Sequence, residues 1–187
     1  MDRKTFLKSL VTIGAAVPCL SLAGNADTAK ADTGKCENGT CQSDAGAIRG
    51  FLSDFVQKEE KNLDRETLRK LMVQRGRNCC RNLQFRQDLI TRSNGDVDKL
   101  VELMGGIVGP SNCRRAGSQV TLIYPVNKCV CGWSPERAPV PDDPYCDCSA
   151  ANNQALFETV SGRPVSVKVL ESPRRGGTHC VFQLQLS

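Results

Sequence analysis

Aromatic side chains are scarce in this chain of 187 residues: they make up 5%, with a single tryptophan, Trp133. A platform that stacks single-stranded nucleic acid needs several such rings, so the composition speaks against that role. Histidine is scarcer still. His179 stands alone, which excludes a multi-histidine metal or catalytic site within the chain. No run of eighteen apolar residues occurs, so a membrane-spanning helix is not expected. Hydrophobic residues at 40% and charged residues at 24% are ordinary for a globular domain. The excess lies in cysteine, with 11 residues, well above ordinary usage.

The first residues carry an address. Arg3, Lys4 and Lys8 form a basic start, Leu10 to Ala23 is apolar and uncharged, and Gly24-Asn25-Ala26 ends in small residues. This is the order of a secretory signal. Arg3-Lys4-Thr5-Phe6-Leu7-Lys8 resembles a twin-arginine translocation signal, with Lys4 in place of the second arginine. The general secretory route stays open beside it. Export to a bacterial periplasm is the expectation, with membrane contact only during export. Without residues 1–26 the net charge falls from +5 to +3, too little to point to nucleic acid.

Residues 27–44 read as a flexible polar linker, and residues 45–187 as one domain. In the linker, Cys36 and Cys41 flank Asn38-Gly39, a turn that brings chain ends together, so a local disulfide is expected in an oxidising compartment. From Ala45 the apolar spacing is helical: Ile48, Phe51, Leu52 and Phe55, then Leu68, Leu71 and Met72 after a capping Asp64. Further helices are expected over 83–92 and 96–104. After Gly109-Pro110 the pattern turns to strands at 120–124 and 128–132, a proline-rich loop at 134–144, a helix at 150–161, and a terminal hairpin of 164–171 with 179–186. The fold class is α+β: N-terminal helices, then a curved, mostly antiparallel sheet with one inserted helix.

Two Cys-x-Cys pairs, Cys129-Val130-Cys131 and Cys146-Asp147-Cys148, carry the chemistry. Residues two apart in a strand share a face. If both segments are paired strands, four sulfurs form a compact rectangle. One reading is a thiolate centre for zinc or an iron–sulfur cluster at Cys129, Cys131, Cys146 and Cys148. Strand neighbours i and i+2 stand roughly 6.5–7 Å apart, so each pair must kink, which Gly132 would permit. A second reading is disulfides, favoured by export. A third is a reactive thiol, with Cys180 and Cys148 as the candidate nucleophiles. Cys79 and Cys80, adjacent on a helix, face different surroundings, and Cys113 is a long-range partner for one of them. Arg174, Arg175 and Trp133 are candidate ligand contacts. Arg75, Arg77, Arg81 and Arg86 read as a solvated helix face or an anion site.

Several stretches of the second half carry a family likeness: Tyr145-Cys146-Asp147-Cys148-Ser149, Leu156-Phe157-Glu158, Gly162-Arg163-Pro164-Val165, Val169-Leu170-Glu171-Ser172, Arg175-Gly176-Gly177 and His179-Cys180-Val181-Phe182. Together with Gly76-Arg77-Asn78-Cys79 they resemble the L-2-amino-thiazoline-4-carboxylic acid hydrolase-like domain, a relative of the 4-vinyl-reductase-type small-molecule-binding domain. The resemblance covers about residues 65–187. It implies helices and a curved antiparallel sheet around a small-ligand pocket. The expectation is therefore an exported domain that binds a small ligand or a metal ion through its cysteines. The alternatives are a cysteine-dependent hydrolase or redox enzyme, and a purely structural disulfide domain.

Overall fold

A computed structural model describes residues 45–129, 131 and 137–187. The export signal, the linker with Cys36 and Cys41, Gly132 and Trp133 lie outside the described residues. Four helices come first: α1 (Ala45–Glu60), α2 (Arg65–Asn82), α3 (Gln84–Ser93) and α4 (Val97–Val108). They are followed by β1 (Cys113–Ala116), β2 (Gln119–Tyr124), α5 (Cys146–Ser161), β3 (Val165–Glu171) and β4 (Cys180–Leu186). The sheet order is β1-β2-β4-β3, with every neighbouring pair antiparallel. The α+β class expected from the sequence is the class observed.

Local signals place these elements. Asp64 caps α2 through the Thr67 N–H at 2.9 Å, and Asp96 caps α4 through the N–H groups of Asp98 and Lys99. Each satisfies amides that the first helical turn leaves without a partner. Val120 and Leu122 of β2, Phe182 and Leu184 of β4, Leu156 and Phe157 of α5, and Leu100 and Met104 of α4 are almost fully buried. They form one core between helices and sheet.

Three expectations change. Strand β1, unread in the sequence, pairs Cys113 with Leu122 and Ala116 with Gln119. It is short and its middle residues, Arg114 and Arg115, are exposed, so no apolar alternation announced it. The described residues of 128–132 are not strand. The inserted helix begins at Cys146, not Ala150, so the second Cys-x-Cys pair is helical. Its start is set upstream: the Asp143 carboxylate accepts the Tyr145 N–H at 3.1 Å, and the Asp143 carbonyl accepts the Cys146 N–H at 3.3 Å. Pro144, which cannot donate, suits the first turn.

Helix α5 crosses α2 at very close range. A Cβ on Gly76 would overlap the Cys148 carbonyl and stand 3.0 Å from the Ala151 Cβ. Asn152 Nδ2 donates to the Gly76 carbonyl at 3.3 Å from the same face of α5. Gly76→Ala is therefore expected to destabilise the domain by about 1–3 kcal/mol through overpacking, although alanine favours a helix by about 1 kcal/mol over glycine. The urea midpoint should fall; an unchanged or raised midpoint would contradict this crossing.

Candidate functional site: a buried thiol cluster

The helical period separates the second Cys-x-Cys pair. Residues two apart on a helix point roughly 200° apart. Cys148 turns toward α2, where it packs with Leu68, Met72 and Tyr145 and lies near Cys79. Cys146 turns the other way, and its Sγ lies 3.0 Å from the Ser172 Oγ. The rectangle of Cys129, Cys131, Cys146 and Cys148 expected from paired strands is not formed, because a helix cannot present i and i+2 on one face.

A different set of sulfurs gathers instead. Cys129 and Cys131, on the segment that follows β2, are hydrogen-bonded to each other. Cys131 Sγ lies 3.5 Å from the Ser149 Oγ, on the first turn of α5. Cys180 opens β4 opposite Tyr124 and interacts with both Cys146 and Cys129. The neighbours are thus Cys129, Cys131, Cys146 and Cys180. Cys148 is a weaker neighbour of Cys131. None of the eight described cysteines is in a disulfide. Among the described residues, no group of three or more Cys, His, Asp or Glu side chains is arranged to share a metal ion. Cys80 and Cys113, suspected partners, both lie in the main core as thiols.

Burial decides the protonation of this cluster. It pushes the Cys180 thiol up to about 11, with Cys146 and Cys129 adding to the effect. It pushes Cys148 up to about 12, with Cys79 adding and Arg75 opposing. Cys131 is raised by its hydrogen bond to Cys129 and then by burial. Cys146 is raised by burial against the opposing Ser172 hydrogen bond and Arg175 charge. Each is a protonated thiol near neutral pH. A nucleophilic cysteine needs the reverse, a lowered value beside a cation. Neither Cys180 nor Cys148 has that environment.

The arginines proposed as ligand contacts serve the scaffold. Asp143 is wholly buried and accepts Arg174 Nε at 3.1 Å and Nη2 at 2.9 Å. Arg137 Nη1 meets the same oxygen at 2.9 Å, and its other donors reach Glu60. Arg175 donates to the Asp143 carbonyl and to Asp147 Oδ1 at 3.0 Å. Asp147 also takes Arg69 Nη1 at 2.8 Å, and Arg69 pairs with Asp142 as well. Burial raises the Asp147 carboxyl, with Arg69 and Arg175 opposing. This network ties α1, α2, the 137–147 loop and the 173–175 turn to the start of α5. Asp143 was missed by the sequence reading; the Asp-Pro before Tyr145 was its one signal. His179 is exposed, with Nδ1 3.3 Å from the Val126 carbonyl oxygen.

No family model matches this chain, and no curated protein matches it in sequence. A solved structure of a trafficking protein particle complex subunit 3 from Naegleria fowleri, covalently bound to palmitic acid, is similar at a TM-score of 0.49. The two are 11% identical over 76% of this chain and 94% of that one.

Two outcomes follow from the geometry. Alkylation of Cys180 in the native protein, followed by peptide mass mapping, should rise about tenfold per pH unit from about pH 7 to 9 without levelling, as for a thiol whose pKa lies above that range. A plateau below about pH 8 would mark an activated thiolate. Asp143→Asn should lower stability by about 3–5 kcal/mol, since it strands the Arg174 charge in a buried position; a denaturant midpoint near that of the parent would show that the network is dispensable.

Proposed function

We propose that the chain is an exported, periplasmic domain that holds a thiophilic ligand, foremost a soft metal ion, at Cys129, Cys131, Cys146 and Cys180. The observation that carries this reading is the gathering of these sulfurs from three separate parts of the fold, with Cys129 and Cys131 in direct contact. Thiolate sulfur favours zinc, copper(I) and iron–sulfur chemistry over hard cations. The donor types fit such an ion, although among the described residues no group of three or more of them is spaced to hold one. The resemblance of residues 65–187 to the aminothiazoline-carboxylate hydrolase-like and 4-vinyl-reductase-type domains favours a small-ligand module over a purely structural one. A hydrolytic or redox role for a cysteine nucleophile is less well supported, because burial keeps the thiols protonated. Among the described residues no helix is long and apolar enough to cross a membrane.

A second reading rests on the Cys129–Cys131 contact. In an oxidising compartment these thiols, or Cys146 with Cys180, would close as disulfides and the cluster would be a structural staple.

Elemental analysis of protein purified without chelator, with thiol counting before and after reduction, separates the two. The metal reading expects bound metal near one equivalent and a loss of about tenfold or more in affinity when Cys129 and Cys131 are both changed to serine. Because the thiols are protonated near neutral pH, binding must release protons, so apparent affinity should rise with pH from about 6 to 8. Metal-free protein that gains accessible thiols only after reduction would overturn the metal reading in favour of disulfides.

A further inference from the structure

Arg86 lies on α3 and is only 6% exposed. The other strongly buried arginine, Arg174, faces the Asp143 carboxylate. The hydrogen-bond partners of Arg86 among the described residues are neutral. Its Nη2 donates to Asn153 Oδ1 at 3.1 Å and to Tyr124 Oη at 3.3 Å, and Nη1 points at Met104 Sδ at 3.6 Å. The guanidinium carbon stands 5.0 Å from the centre of the Phe85 ring. Nε is buried and has no hydrogen-bond partner. Among the described residues Arg86 forms no ion pair.

A buried charge without a counter-ion is strongly unfavourable. An apolar residue of similar volume would fill the same space without that penalty. The vacant Nε and Nη2, one of whose bonds to Tyr124 and Asn153 a ligand would replace, form one edge of the guanidinium fork, the edge that binds a carboxylate through two parallel hydrogen bonds. Tyr124 Oη, which now donates to Asn153 Oδ1 at 2.9 Å, is a further donor beside it. An open cleft of about 350 Å³ between α2, α3 and α5 is lined by Cys80, Gln87 and Arg81, and by the Arg77–Glu158 ion pair. Gln87, the next residue on α3, lines the cleft, and Arg86 itself lies behind it, outside the lining.

We infer that Arg86 is the receptor for the carboxylate of a small organic acid, bound in the interior between α3, β2 and α5. The site does not rest on the thiol cluster. Asn153 lies seven residues beyond Cys146, about 10 Å along the axis of α5, and none of the four clustered thiols is among the hydrogen-bond partners of Arg86.

The test uses the native chain, with propionate as probe and chloride at equal ionic strength as control. In ¹⁵N-labelled protein, the Arg86 Nε–H resonance should shift saturably with propionate and not with chloride. Propionate should also raise the thermal midpoint of the native protein. Arg86→Lys, which keeps the charge and loses the fork, should bind propionate at least about tenfold more weakly. A resonance that does not move with propionate, or an Arg86→Lys protein stabilised by propionate as strongly as the parent, would overturn the assignment. Should the lysine variant fail to fold, the resonance titration on the native protein decides alone.

Discussion

The Asp143 carboxylate is the interaction on which the rest of this structure depends. It performs two tasks from one buried position. Oδ1 accepts the Tyr145 amide and helps to set where α5 starts. Oδ2 receives Arg137 and Arg174, which arrive from either side of the helix. A carboxylate wholly removed from water is tolerable only when its charge is matched and its lone pairs are occupied. Here the match is close: Glu60 balances the second guanidinium through Arg137. The position of Cys146, three residues further on, is therefore fixed by electrostatics upstream of it.

Helix α5 then distributes chemistry by its period. Cys148, Ala151, Asn152 and Ala155 lie on one side, where Cys148, Ala151 and Asn152 meet Gly76 of α2. Cys146, Ser149 and Asn153 lie on another, within about 60° of one another. That second stripe touches Ser172, Cys131 and Arg86 in turn. One helix thus separates a packing seam from a polar, sulfur-bearing seam. The small residues of the first seam allow the backbones to approach; the hydrogen-bonding residues of the second meet side chains of other elements.

The sequence made much of the fold legible. The helical spacing around Leu68 and Met72, the Asp64 cap, and the alternation of Val165, Val167 and Val169 all correspond to observed elements. The thiol site was legible in composition and illegible in geometry. A Cys-x-Cys pair reads as strand or helix with equal ease, and only Asp143-Pro144, placed in a proline-rich loop by its neighbours, marked the helix start. Cys180 joined the cluster through strand pairing with Tyr124, a contact between residues 56 positions apart in sequence. Arg86 was legible only as one of four cations read together as a solvated helix face or an anion site. Its burial comes from α4 and α5 closing over α3, which no local pattern encodes.

The two interior seats make opposite electrostatic demands, and the fold meets them with different means. The thiol cluster gathers groups that are neutral near neutral pH and become mutually repulsive only on losing protons, so in the proposed role a cation would have to replace those protons. The proposed Arg86 seat presents a buried guanidinium to which an anion would be the matching partner. Burial strengthens both preferences, since a low-dielectric interior amplifies attraction and leaves an unmatched charge costly. A domain stabilised mainly by hydrophobic contacts among Leu100, Leu122, Leu156, Phe157, Phe182 and Leu184 does not need either feature for packing.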